Sequence, residues 1–558
     1  MIGSFTMLRE KLLLAFVAVF CSLVSQAQTA PDTYWVQFTD KTNTPYSLDA
    51  PEQFLSARAI ARRQAQGIAL DELDLPVDPA YITGVLATGD VQLVNRSKWF
   101  NAITIRTSDT DALLAIQQLP FVQQLRSTQQ LHGTPVSPDK FALPMTPTER
   151  GGGSGDYGAS FTQIAMLNGH ELHAMNAQGQ GMLIGVLDSG FDQANTINAF
   201  DELRNREGIV LTRDMVNHDG DVYADHWHGR SVLSCLAAVM PGYLIGTAPA
   251  ADYVLVRTEE AATEYIVEED NWVAGAELCD SLGCDVLNTS LGYTRFDDPA
   301  QDHAYADMNG LTARISIASG IAAMKGMVPV NSAGNSGQSE WYYISAPADA
   351  INILAVGAVG DQEQAAPFSS RGPSADGRVK PDVMAMGWGA IGLDAAGEFV
   401  VPISGTSFSS PILAGLVACL WQLHPGRTAT EIMDAVRRSA SLWTAPNDSM
   451  GYGIPDFMQA HLFLDATTSI SEEANNARMK VQPVPFADRL EVLLPAAVQG
   501  AWTAEVVDAA GRVQWRTSGR DAGSERIVLT GLRALDSGVY VLRISSGHTM
   551  HAAHVVKE

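Results

Sequence analysis

Between residues 182 and 359, five short runs are apolar almost without interruption: MLIGVLD, YVLVRT, DVLNTSLG, MVPVNSAGN and NILAVGAV. Each is followed by small residues and then by helical spacing. A strand with one wet face alternates polar and apolar positions. A strand apolar at every position must be covered on both faces. The runs therefore predict a parallel sheet between two layers of helices, an α/β three-layer domain spanning residues 158–466. In such sheets chemistry gathers at the carboxyl ends of the strands.

The flanks read differently. In residues 28–131, strands and helices interleave: YWVQFTD alternates, PEQFLSARAIARRQAQG and DPAYITGVLATG have helical spacing, and DALLAIQQL is a short helix. VQLVNRSKWFNAITIRT breaks into two strands around Arg96-Ser97-Lys98. This predicts a small α/β unit. Residues 132–157 carry Pro, Ser, Thr and the run Arg150-Gly151-Gly152-Gly153-Ser154-Gly155, and read as an exposed linker. A polar linker at 467–479 precedes residues 480–558, where RLEVLLP, TAEVVD, RVQWRT, RIVLTGL and GVYVLRI alternate with period two, a small β-sandwich.

At the N-terminus, Arg9 and Lys11 precede an apolar run from Leu12 to Val24, and Ser25-Gln26-Ala27 follows as a small-x-small cleavage signal. The run is shorter than the roughly 18 residues of a spanning helix, so residues 1–27 read as a signal peptide and no transmembrane span is expected. Acidic residues outnumber basic ones by 62 to 36, a formal charge of −26. That excludes a nucleic-acid partner, which needs clustered Lys and Arg. Beyond the signal the cysteines are Cys235, Cys279, Cys284 and Cys419. Cys279 and Cys284 are close enough in sequence to pair in an exported protein. Cys235 and Cys419 sit in apolar helical patterns and read as buried thiols.

Several residues stand where chemistry is expected. Asp188 ends the first apolar run. It is a candidate carboxylate, although an Asp there is more often a cap. His228 opens a helical segment beside Gly229, with His226 as its rival. Asn335 follows an apolar strand, with Asn331 as its rival and an ordinary turn as its plainer role. Asp219, Asp221 and Asp225 lack a calcium-loop pattern and no H-x-x-x-H helix appears, so NHDGDVYADHWH reads as a solvated acidic loop. In ISGTSFSSPIL, Ser404, Ser407, Ser409 and Ser410 compete for the role of nucleophile.

Together these words are specific. LDSG surrounds Asp188, HGRSV surrounds His228, SLG covers Ser290, Leu291 and Gly292, SAGN ends at Asn335, GTSFSSP surrounds Ser407, and GYGIPD closes the domain. The order Asp, His, Ser on strand ends is that of the subtilisin-type triad. The central domain thus resembles the subtilases, the subtilisin-like serine proteases. The resemblance implies Asp188, His228 and Ser407 as the triad, Asn335 as oxyanion donor, and Ser290 to Gly292 as the strand against which a peptide substrate lies. It places Ser407 at the start of a helix that Pro411 helps begin. Where the family usually has Thr after His-Gly, this chain has Arg230.

The N-terminal unit is similar to subtilase propeptides, ferredoxin-like domains that assist folding and occupy the cleft. With YWVQFTDK and SKWFNA it resembles the Bacteroidetes version, which makes the Gly151–Gly155 run the expected maturation region. VQPVPFADRLEV, VVDAAGRV and GLRALDSGVYVLRI resemble type IX secretion sorting domains. The expected molecule is a secreted or cell-surface serine endopeptidase, exported through the periplasm by type IX machinery as a self-inhibited precursor. Its partners are polypeptide substrates and its own propeptide. No cofactor is expected. The family often holds structural calcium, but no ligand set maps onto this chain. An inactive subtilase fold that binds peptides or surface glycans is the alternative. An esterase of the α/β-hydrolase kind lacks its G-x-S-x-G word here, since the run at Ser407 is G-T-S-F-S.

Overall fold

A computed structural model describes residues 32–129, 140–141, 155–476, 480–482, 486–507, 512–546 and 549–557. The expected signal peptide and most of the glycine-rich maturation run lie outside the described residues. The chain divides into two compact units, Met1–His461 and Leu462–Glu558.

The first unit begins with β1 (Asp32–Phe38), β2 (Gln92–Ser97), β3 (Ala102–Thr107) and β4 (Val122–Gln129), in the antiparallel order β2-β3-β1-β4. Helices α1 (Ala57–Ala65), α2 (Pro79–Leu86) and α3 (Thr110–Gln117) complete it. This is the ferredoxin-like arrangement expected. Local chemistry sets the helix starts: Ser56, Asp78 and Asp109 each accept a hydrogen bond from a first-turn N–H. Val36, Phe38, Val85, Ile103, Ile105 and Ile116 form its own core. The turn between β2 and β3 falls at Lys98–Asn101, just after the Arg96–Lys98 position read from sequence. The reason is packing: Ser97, Lys98 and Trp99 are buried against the next layer of the molecule.

The five apolar runs become strands of one parallel seven-stranded sheet. They are β5 (Leu183–Asp188), β7 (Asp252–Arg257), β8 (Val286–Thr289), β9 (Val328–Ser332) and β10 (Leu354–Val359). β6 (Ile209–Asp214) and β11 (Val383–Met386) close its edges, in the order β11-β10-β9-β8-β5-β7-β6. Neighbours in sequence reverse direction of travel around β5, which makes the crevice beside it the topological switch point. Four helices matter for the site: α4 (His228–Ala237), α5 (Val267–Leu282), α6 (Arg314–Met324) and α7 (Thr406–Leu423). A hairpin, β12 (Trp388–Leu393) with β13 (Val400–Ser404), feeds α7. Of the described helices, α7 alone is long and apolar enough to cross a bilayer, and it is buried within the fold.

Helix α5 is unusual in being acidic and buried. Glu268, Glu269, Asp270, Glu277 and Asp280 all lie inside. Two of these acids carry the docking of the N-terminal unit. The Glu277 carboxylate accepts from Ser97 Oγ (2.6 Å), Lys98 N (2.7 Å) and Trp99 N (3.0 Å). Asp280 receives Arg62 (2.6 Å), Arg63 (2.8 Å) and Lys98 (3.0 Å). Lys325, just beyond α6, reaches back to Asp71 and Asp74, each at 2.7 Å. Cys235, Cys279, Cys284 and Cys419 are all free, buried thiols.

The second unit contains β14 (Lys480–Gln482), β15 (Arg489–Val507), β16 (Val513–Thr530), β17 (Gly538–Ser546) and β18 (Thr549–Lys557), all paired antiparallel. RLEVLLP and TAEVVD, read as separate strands, are one strand here. Its pairing with β16 shifts register between Leu493 and Val498 and then resumes. Leu490, Val492, Val506, Ile527, Leu529, Leu542 and Ile544 form the core of this unit.

Candidate functional site

β5 delivers Asp188 to the switch point, fully buried. Its Oδ1 accepts from Ser189 N (2.8 Å), Ser189 Oγ (3.1 Å) and His228 Nδ1 (2.8 Å). His228 is the first residue of α4, and Gly229 explains how it comes so close. A Cβ at 229 would lie 2.3 Å from the Gly190 carbonyl oxygen and 2.9 Å from Asp188 Cβ. Only glycine lets the helix start meet the strand end. The rival His226 instead receives the His228 backbone N–H at 3.3 Å and sits 3.1 Å from Ser189 Oγ.

The serines separate cleanly. Ser404 Oγ accepts from Gly389 N, Ser409 Oγ donates to the Thr406 carbonyl, and Ser410 Oγ donates to Asn288 Oδ1 and to the Val330 carbonyl. Ser407, at the second position of α7, donates to the Ser290 carbonyl at 3.3 Å. No hydrogen bond joins Ser407 to His228 here. Pro411 lies inside α7 rather than at its beginning, which corrects the sequence reading. Its physical role is also different. A residue at 411 with an N–H would bond the Ser407 carbonyl one turn back; proline has none. The freed carbonyl accepts Ser290 Oγ at 2.8 Å instead. Proline thus ties the Ser290–Gly292 segment to the turn that carries Ser407.

Asn335 is held by its carbonyl side. Its Oδ1 accepts both Thr406 N (2.9 Å) and Thr406 Oγ1 (3.0 Å). That fixes the amide orientation, and the residue is exposed to the cleft. Asn331 is buried and donates to Ser319 Oγ, a packing role. Asn335, Ser407 and Ser290, Leu291 and Gly292 line one cavity of about 460 Å³. Arg230 turns away from it. The guanidinium is buried, and binds Asp192 and the carbonyls of Asp394 and Ala395. Burial lowers its pKa and Asp192 partly restores it. It fastens the 394–397 turn.

Residues 179–454 match the subtilase family, and residues 33–140 match the peptidase S8 propeptide domain of Bacteroidota. The chain carries a subtilase-family domain. It is similar to serine protease AprX of Bacillus subtilis, 28% identical over 315 residues, covering 51% of this chain and 66% of AprX. Subtilisin E of the same organism is 27% identical over 281 residues, covering 50% and 65%. The subtilisin-like protease PopC of Myxococcus xanthus is 28% identical over 285 residues, covering 48% and 57%. The chain thus spans just under two thirds, or less, of the length of these relatives.

Two residues of this subtilase that sequence reading left inside a linker reach the cleft. Phe141 packs on the His228 ring, centroids 4.3 Å apart, and on His226 at 5.1 Å. Lys140 enters a group of three glutamates, Glu259, Glu264 and Glu268. These acids were also missed, although a signal existed. TEEAATEYIVEED is an acid-rich run directly after the apolar strand YVLVRT, where a parallel sheet places its chemistry. Asp225, from the loop read as solvated and acidic, pairs with Arg257 at 3.0 Å, and burial pushes its pKa up to about 6. Asp219 and Asp221 stay exposed and hold turns.

Proposed function

We propose that this chain is the precursor of a secreted serine endopeptidase that hydrolyses peptide bonds through Asp188, His228 and Ser407. One observation carries the reading. A buried carboxylate holds Nδ1 of His228 at 2.8 Å, and the serine the family places opposite lines the same cavity as an anchored Asn335. A serine hydroxyl is a weak nucleophile until an imidazole takes its proton. Ser407 Oγ leaves the Ser290 carbonyl, passes its proton to His228 Nε2 and attacks the scissile carbonyl carbon. Asp188 fixes the imidazole tautomer and stabilises the imidazolium. The Asn335 amide and the Ser407 N–H, at the positive end of α7, hold the developing oxyanion. The imidazolium protonates the leaving amine, and water then releases the acyl group by the same path.

The N-terminal unit is the propeptide and inhibitor in this reading, since its interface buries Glu277 and Asp280 and Phe141 covers His228. The domain limits given above, the signal at 1–27, cleavage within 132–157 and sorting of residues 480–558 by type IX machinery belong to the same proposal. The inactive alternative drew on Arg230, which here binds Asp192 and a turn rather than the His228 ring.

The test uses the chain without residues 1–27. Wild type is expected to lose its N-terminal unit and to label with a serine-directed fluorophosphonate, while Ser407→Ala does neither. Asn335→Ala should lower turnover by about 10²–10³, the scale known for that donor in subtilisin. A wild type that neither matures nor labels would sink the reading. A Ser407→Ala chain that labels like wild type would remove Ser407 from it.

A further inference from the structure

Six acids crowd residues 259–270, at the carboxyl end of β7 and the first turn of α5. Three of them, Glu259, Glu264 and Glu268, bring carboxylate oxygens within 4.8 Å of one another. The Lys140 ammonium sits among them, at 2.9 Å from Glu259, 2.8 Å from Glu264 and 2.9 Å from Glu268, and 3.0 Å from the Thr263 carbonyl. Two of the three carboxylates are also held by groups other than Lys140. Glu259 also accepts the Tyr293 hydroxyl, and the second oxygen of Glu268 accepts Glu260 N at 3.0 Å.

Position makes this more than an ion pair. Lys140, Phe141, Glu259 and Glu264 line the same cavity as Ser407 and Asn335. Residue 140 fills the acidic pocket while residue 141 lies on the His228 ring. A bound polypeptide would meet those two walls with consecutive side chains. The charge balance also asks for a cation. Burial pushes Glu259 up to about 7 and raises Glu264 and Glu268, even with Lys140 beside them. Among the described residues, only Lys140 forms an ion pair with these three acids. When it leaves, the trio must either take up protons or receive another cation, because a buried unpaired carboxylate is costly.

We propose that Glu259, Glu264 and Glu268 form a substrate subsite for a lysine or arginine side chain, which Lys140 fills as the chain's own surrogate. The preferred substrate is then a polypeptide with a basic residue directly before the side chain that packs on His228. This rests on the proposed endopeptidase activity and narrows it to a substrate class.

The experiment compares two quenched fluorescent peptides that differ only in Lys-Phe against Gln-Phe, using matured wild type. The expected ratio of kcat/KM is at least about tenfold in favour of lysine. In Glu259→Gln/Glu264→Gln, and in the milder Glu264→Gln, the ratio should fall below about threefold, with fluorophosphonate labelling reporting an intact serine. Equal cleavage of both peptides by wild type overturns the subsite, whatever the variants do. A ratio unchanged in a labelling variant also overturns it. Absence of preference together with a calcium-dependent rise in wild-type melting temperature, lost in the double variant, would reassign the three acids to a metal. Failure of wild type to cleave either peptide or to label is a failure of the endopeptidase reading itself.

Discussion

Asp280→Asn should release the N-terminal unit. Asp280 is wholly buried and is the common anchor of Arg62, Arg63 and Lys98, at 2.6, 2.8 and 3.0 Å. Burial opposes its ionisation, but the three cations outweigh it and hold its pKa below the ordinary value. The amide keeps the shape and deletes the charge. Three buried cations from the docked unit then face a neutral group. Breaking one buried pair in this way costs about 3–5 kcal/mol. At about 1.4 kcal/mol per tenfold, docking should weaken by roughly two to three and a half orders of magnitude. Arg58→Gln is the contrast. Arg58 is 42% exposed and pairs with Asp285 at the rim, worth at most about 1 kcal/mol. The assay uses the Ser407→Ala chain, cut at an engineered site within Gly151–Gly155 and diluted on a size-exclusion column. Wild-type and Arg58→Gln pairs should stay together at concentrations at least a hundredfold below those at which Asp280→Asn separates, with near-UV circular dichroism showing both bodies folded. Retention of the Asp280→Asn pair within threefold of wild type would refute the claim that this carboxylate holds the interface.

Gly229→Ala should cost about 10² in turnover while the protein stays folded, because the new Cβ forces the Gly190 carbonyl back from 2.3 Å and drags His228 from Asp188; Gly426→Ala, with nothing within 4 Å, is the matched control, and turnover of a chromogenic peptide within threefold of wild type would refute it. His303 gives a pH signature. Burial pulls its imidazole down, but a 2.6 Å hydrogen bond to Glu269 and that carboxylate's charge outweigh burial and raise its pKa. A raised histidine adds stability that is complete below its ordinary pKa of about 6.5 and is lost as pH rises through the folded value. The melting temperature of Ser407→Ala should therefore fall as pH rises above about 6.5, and His303→Gln should flatten that slope; equal slopes would remove His303 as the source.

The central sheet was legible because its signal is local. A run such as LAVGAV states by itself that both faces are covered, and the words carrying Asp188 and Asn335 sit at or within a few residues of such runs. What stayed hidden depends on partners far away in sequence. Glu277 and Asp280 carry no local sign of burial; it is Lys98, about 180 residues earlier, that covers them. Pro411 reads as a helix start because proline is favoured there. Its place one turn further in has meaning only once Ser290 arrives to take the carbonyl it frees. The acid-rich run 259–270 was visible, but without Lys140 nothing marked three of its members as one pocket.

Helix α5 links the two acidic features and also separates them. Glu268 in its first turn belongs to the proposed subsite, and Asp280 twelve residues later anchors the docked unit. At about 1.5 Å per residue they stand roughly 18 Å apart, too far for one cation to pair with both. The N-terminal unit nonetheless serves both, with Lys98, Arg62 and Arg63 at one end and Lys140 just beyond β4 at the other. In the proposed maturation its departure would strip cations from both ends of one buried helix. The two ends then differ in what replaces them. Asp280 meets water where the docked unit was. At the other end Glu259 and Glu264 line the cleft, where a basic substrate side chain can take the place of Lys140. Release and substrate choice can thus be altered separately by substitution, although the departure of one unit sets both in motion.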